Sequence, residues 1–156
     1  MAIMTFKFNP EIDVISVKNT TNSELVGYRV VTYDTENDRG VALPVAGEIK
    51  ILGILMPSIE TDNGLIPVGR SCDVVINNEY LVEIAEDVKI GDILVVADTL
   101  GRVRPLSENE LDVISGSSTK IGVLGIATES ATYVEGKNIL IRCRIQKGIL
   151  EVPVTS

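Results

Sequence analysis

The stretch Ile139-Leu140-Ile141-Arg142-Cys143-Arg144-Ile145-Gln146 decides the fold class. Successive side chains of a strand point to opposite faces. Ile139, Ile141, Cys143 and Ile145 therefore share one face, which reads as core, and Leu140, Arg142, Arg144 and Gln146 share the other. Outward from this stretch the same texture recurs. Short apolar segments at Tyr28–Tyr33, Val41–Leu43, Ile49–Leu55, Leu65–Val68, Ser71–Ile76, Tyr80–Ile84, Ile93–Ala97, Val103–Pro105 and Ile121–Thr128 read as strands. Polar turn signals separate them, among them Asp34 to Gly40, Asp62-Asn63-Gly64, Asn77-Asn78 and Asp98-Thr99-Leu100-Gly101. Asn and Gly tolerate the positive φ that tight hairpin turns need. No long segment carries a 3.6-residue period, so the expected fold is all-β, a compact barrel or sandwich-like body of many short strands. Only Ser107 to Val113 reads as helical, where Ser107 and Glu110 have capping-box spacing over a turn or two.

Composition agrees with this reading. The 156 residues are rich in Ile, Val and Leu, with four Tyr, two Phe and no Trp, and β-branched side chains suit a pleated, half-buried surface. The net charge of −8 and a pI near 4.6 repel nucleic acid and anionic lipid, so neither is expected as a partner. The longest apolar run, Ile49 to Ile59, is broken by Lys50 and Pro57 and is too short to span a bilayer. The first residues lack a charged n-region followed by an apolar core, so synthesis in a cytoplasm is expected.

The chain divides into residues 1–26, a polar lead-in or arm in which Ile12, Val14 and Ile15 suit one short strand, and a β domain over 27–156. Within that domain an internal repeat suggests units at 27–78 and 79–146, with a tail at 147–156. Gly27 to Thr35 aligns with Gly91 to Thr99, Leu52-Gly53-Ile54 with Leu124-Gly125-Ile126, and Cys72 to Ile76 with Ile139 to Cys143. Two readings stand side by side: a duplicated unit whose halves share one core, and the chance alignment of two β-rich stretches.

The residues offer little chemistry. The chain has no His, which excludes Ser-His-Asp and Cys-His nucleophilic systems and His-based metal sites. Neither phosphate-binding glycine fingerprint is present. Asp34, Glu36 and Asp38 alternate like the start of a calcium loop, but Arg39 stands where Gly is required and Val45 where the bidentate Glu belongs, leaving a solvated turn as the better reading. Glu79, Glu83, Glu86, Asp87 and Asp92 form an acidic cluster that reads as a solvated face, because glycosidase carboxylates need an aromatic-lined cleft. Cys72 and Cys143 lie in apolar stretches and read as small buried hydrophobes, with a disulfide between them left open. The expectation is no enzyme: no catalytic residue, no cofactor and no metal. Arg142 and Arg144 are the candidate protein-interface residues, since adjacent guanidiniums on an acidic protein suit carboxylates of a partner; internal pairing with Glu or Asp across the sheet is the competing reading.

Residues from about 65 to 146 carry an ordered set of features. Val68-Gly69-Arg70 with Val74-Val75-Ile76 comes first, then the stretch Tyr80 to Val88, then Ile90-Gly91-Asp92-Ile93-Leu94-Val95-Val96-Ala97-Asp98 and Gly101-Arg102-Val103-Arg104-Pro105-Leu106. Ile121-Gly122-Val123-Leu124-Gly125-Ile126-Ala127-Thr128-Glu129-Ser130-Ala131, Glu135-Gly136 and a last strand follow. In this order the segment resembles the capsid decoration (cement) proteins of tailed phages, the DUF2190-like structural family. The polar Thr128-Glu129-Ser130 departs from the small residues usual there, and residues 1–64 match less well. The resemblance implies a β-tulip type of fold, no catalysis, a place on the exterior of a virion, the major capsid protein as partner, and a homo-oligomer, usually a trimer. A phage tail or baseplate β-structural or adhesion protein is the alternative. A trimeric β-fold nucleotide pyrophosphatase would need phosphate- and magnesium-binding motifs that the sequence lacks.

Overall fold

The computed structural model describes residues 13–107 and 119–152. Ten strands run in chain order: β1 Val14–Asn19, β2 Val30–Tyr33, β3 Gly40–Ala42, β4 Ile51–Leu55, β5 Ser71–Val75, β6 Asn78–Glu83, β7 Ile93–Val96, β8 Val103–Pro105, β9 Thr119–Ala127 and β10 Leu140–Val152. The protein is all-β; the described residues contain no helix. The helical turn expected at Ser107 to Val113 falls almost wholly outside the described residues. Leu65 to Val68, expected as a strand, contributes one isolated bridge between Leu25 and Ile66, because Pro67 and the positive-φ Gly69 end the extended run.

The strands form two five-membered units. The first closes into a barrel in the order β1-β3-β2-β4-β5, and the second is a sheet in the order β6-β10-β9-β7-β8. β1 lies within the stretch read as a lead-in, and β10 runs on through 147–152, the stretch read as a tail.

The second unit repeats the first, strand for strand. In each, the first strand pairs antiparallel with the fifth, the fifth with the fourth, the fourth with the second and the second with the third. The ring is completed in the first unit by the parallel pair β1–β3, with Asn19 opposite Val41, and in the second by a single parallel bridge between Ile84 and Val103. The glycines of the repeated Leu-Gly-Ile triplets do the same job. A Cβ on Gly53 would stand 2.2 Å from the Val75 carbonyl oxygen, and one on Gly125 would stand 1.9 Å from that of Arg144. Only glycine lets the fourth strand lie so close to the fifth. Asp34 and Asp98 also match: each accepts a hydrogen bond at Oδ1 from the backbone N–H two residues on, Glu36 at 2.9 Å and Leu100 at 3.1 Å, which sets the turn after the second strand.

The ladder registers correct the sequence alignment. They place Val30 opposite the role of Ile93, one residue from the alignment of Gly27 to Thr35 with Gly91 to Thr99. They likewise match Val75 with Arg144, two residues from the alignment of Cys72 to Ile76 with Ile139 to Cys143. Short apolar runs such as Val30-Val31 and Val74-Val75 look alike after a shift of a residue or two, so sequence alone leaves their register open.

Two cores follow from the alternation. Val17, Leu25, Val31, Val41, Leu52, Leu55, Ile66, Cys72 and Val74 fill the barrel. Their neighbours Val30, Ile54 and Val75 point outward and pack with Val82, Ile84, Leu94, Leu124, Ile141 and Cys143 of the second unit. Barrel strands buried on both faces explain the uninterrupted apolar runs Val30-Val31 and Ile54-Leu55. An ion pair reinforces the joint: Arg29 Nε donates to Glu83 Oε1 at 3.1 Å and its Nη2 to Oε2 at 3.4 Å, linking the start of β2 to the end of β6.

Candidate protein-binding face

The register of the two units defines the candidate site. In the first unit, Val75, Ile54 and Val30 form a row across β5, β4 and β2, all fully buried against the second unit. The corresponding row of the second unit is Arg144, Ile126 and Ile93 across β10, β9 and β7, extended by Glu79 on β6. Residues directly opposite one another on adjacent antiparallel strands project from the same face. This second row is open: Ile93 is 39% and Ile126 37% exposed, and Arg144 and Glu79 are exposed as well. The same fold position is thus an interior joint in one unit and a bare surface in the other.

Arg142 and Arg144 lie where the alternation puts them. Ile141, Cys143 and Ile145 are buried between them, and both arginines project from the outer face of β10. Arg144 stands opposite Glu79 and Arg142 opposite Leu81. Among the described residues neither guanidinium forms a hydrogen bond or salt bridge. The backbone at Arg142 is well held: its N–H donates to Glu129 Oε1 at 2.6 Å and its carbonyl accepts from Thr128 Oγ1 at 3.1 Å. The guanidiniums therefore project from a fixed strand.

Beside the arginines lies a shallow apolar groove of about 230 Å³, walled by Ile93, Val123, Ile126, Gly148 and Ile149. Ile149 is 56% exposed. A β-bulge between Ile145 and Gly148 opens this groove by shifting the β9–β10 register. Sequence reasoning put the two arginines on the outer face of β10, as observed, and missed the exposure of the isoleucines, because Ile93 and Ile126 sit in apolar runs that read as core. The available signal was the repeat, which pairs Ile126 with Ile54.

The other candidates resolve differently. Glu83 leaves the acidic cluster: it is 2% exposed and bonded to Arg29, because β6 turns that face inward at the joint. Glu79, Glu86 and Asp87 remain exposed, Asp87 accepting from the Tyr133 N–H at 2.7 Å and Asp92 from the Lys89 N–H at 2.8 Å. At the calcium-like loop, hydrogen bonds from Thr20 Oγ1, Asn37 Nδ2 and the Glu36 N–H hold the Asp34 carboxyl at about 2, below its ordinary 3.8. No group of three metal-ligating side chains occurs among the described residues. Cys72 and Cys143 are free and buried in different cores. Burial, with help from Asp73, pushes the Cys72 thiol to about 11, and burial, with help from Glu79, pushes Cys143 to about 12.

The fold has a solved counterpart. It is similar to the head fiber gp8.5 N base of bacteriophage phi29, with a TM-score of 0.55 over 86% of this chain and 93% of that one, at 17% sequence identity. No protein-family model matches the chain, and no curated protein matches its sequence. At this identity the likeness is one of fold. Because it spans 86% of the chain, it takes in residues from both five-stranded units.

Proposed function

We propose that the chain is a non-enzymatic structural protein of a phage virion, which binds the outer surface of the capsid between major capsid subunits and stabilises the shell. The observation that carries this reading is the open row Arg144–Ile126–Ile93, whose counterpart in the first unit is a buried joint, on a fold similar to a phage head fiber base. Arginine beside exposed aliphatic side chains is the composition of an interface centre. A protein that binds only the assembled shell stabilises it by mass action, in proportion to the logarithm of one plus its concentration over Kd. The decoration role and a trimeric state come from the sequence resemblance.

Co-sedimentation of the purified protein with expanded, DNA-free heads of its own phage tests the reading. Saturation at a fixed ratio to shell subunits is expected. Replacing Arg142→Glu and Arg144→Glu together should weaken binding at least about tenfold, a loss of about 1.4 kcal/mol, without unfolding the protein. Recovery in tail fractions, with no binding to shells, moves the protein to the tail or baseplate.

A further inference from the structure

A β-bulge in the first unit is tied to a β-bulge in the second. In β4 the register steps from Val31 opposite Gly53 to Thr32 opposite Ile51, so Leu52 is the extra residue. In β10 it steps from Ile145 opposite Gly125 to Gly148 opposite Val123, so Gln146 and Lys147 together face Leu124. Leu52 and Leu124 open the two repeated Leu-Gly-Ile triplets, so both irregularities fall at the same place in the repeat. A bulge disrupts the ladder locally, and a buried carbonyl there calls for another donor. For Leu52 a donor comes from the other bulge: Lys147 Nζ donates to the Leu52 carbonyl at 2.7 Å, across 95 positions of sequence.

Lys147 as a residue is exposed, but its ammonium is partly shielded at this joint, and burial lowers its pKa below the ordinary 10.5. A partly dehydrated cation holds a carbonyl more firmly than one in open water. A second fastening lies close by. The Gly122 N–H donates to the Gly47 carbonyl at 3.4 Å, and a Cβ on Gly122 would stand 1.8 Å from the Glu48 carbonyl oxygen. Gly122 is the residue opposite Ile149. The part of the β9–β10 pair that walls the apolar groove is thus fixed to the first unit on both strands, β9 through Gly122 and β10 through Lys147. Gln146, the other residue of the bulge, lines the groove itself. Arg144 precedes the bulge and Ile149 follows it, so the bulge geometry sets the guanidinium relative to the aliphatic wall.

We propose that Lys147 is a positioning residue of the protein-binding face: its bond to Leu52 holds the β10 bulge in one arrangement, and through it the spacing of Arg144 and Ile149 across the groove. This rests on the reading of that face as the binding site. Without the bond the bulge is free to move, and a partner has to order it on binding, which weakens affinity.

Two variants of the full chain test the proposal. K147M keeps the stem and loses the donor, and K147R keeps a donor. Because residue 147 lies on the surface, neither variant alters a core side chain. In K147M the amides of 148–150 should exchange with solvent at least about tenfold faster than in the parent, while those of 141–145 keep their rates. Its binding to expanded heads should weaken at least about fivefold. K147R should restore both. Unchanged exchange at 148–150 in K147M would overturn the proposal, as would exchange raised uniformly along β10, the mark of general loosening. Faster exchange at 148–150 with unchanged head binding would overturn the positioning role. If the parent itself does not bind heads, the proposed function fails, and the exchange comparison alone decides whether Lys147 holds the bulge.

Discussion

Replacing Glu83 with Ala tests the joint between the two units. Glu83 is 3% exposed at its side chain and Arg29 18%, with bonds of 3.1 and 3.4 Å between them. Removing one partner of a buried pair leaves the other charge uncompensated, at about 3–5 kcal/mol. The guanidinium keeps some contact with water, which places the expected loss near the low end, about 3 kcal/mol. For a chain of this length each kcal/mol moves Tm by about 2–4 °C, so a fall of about 6–12 °C is expected. Equilibrium urea denaturation followed by circular dichroism measures the loss directly. Arg29→Met with Glu83→Leu removes both charges and keeps the volume, and should come within about 1 kcal/mol of the parent. A loss below about 1 kcal/mol for Glu83→Ala, or a double replacement as costly as the sum of the single ones, would show that the pair does not hold the joint.

The other predictions concern the repeat, the thiols and the acid limb. Gly125→Ala puts a Cβ 1.9 Å from the Arg144 carbonyl, so β9 and β10 must separate; a cost at or above the upper end of about 1–3 kcal/mol is expected in the same denaturation assay, with Gly53→Ala behaving alike. Cys72 and Cys143 should resist a thiol reagent at pH 8 until urea unfolds the chain, since burial holds both thiols near 11 to 12; prompt labelling of the native protein would contradict their placement. The Asp34 carboxyl is held at about 2, below its ordinary 3.8, so the stability it contributes is present in full above about pH 4 and is lost as pH falls through 2. The urea midpoints of the parent and Asp34→Ala should therefore differ at pH 6 and converge between pH 4 and 2.

The local features were legible in the sequence because they depend on near neighbours. Alternation from Ile139 to Gln146 put Arg142 and Arg144 on the outer face of β10, and both lie there. Turn residues separated the strands, and the Leu-Gly-Ile triplets announced the repeat. Glu83 shows the limit. In sequence it belongs with Glu79, Glu86 and Asp87, and only the arrival of Arg29 from 54 residues away makes it a buried ion-pair partner. Val30 and Ile93 show the same limit at the scale of the whole molecule. Both are β-branched residues in apolar runs, and they hold equivalent positions in two equivalent units. One is sealed because the second unit packs on it, and the other is open because nothing among the described residues does. Strand pattern determined the all-β fold, since side-chain period is a property of the backbone. Which face became core and which became surface was decided by how the two units meet, a long-range choice that no local period records.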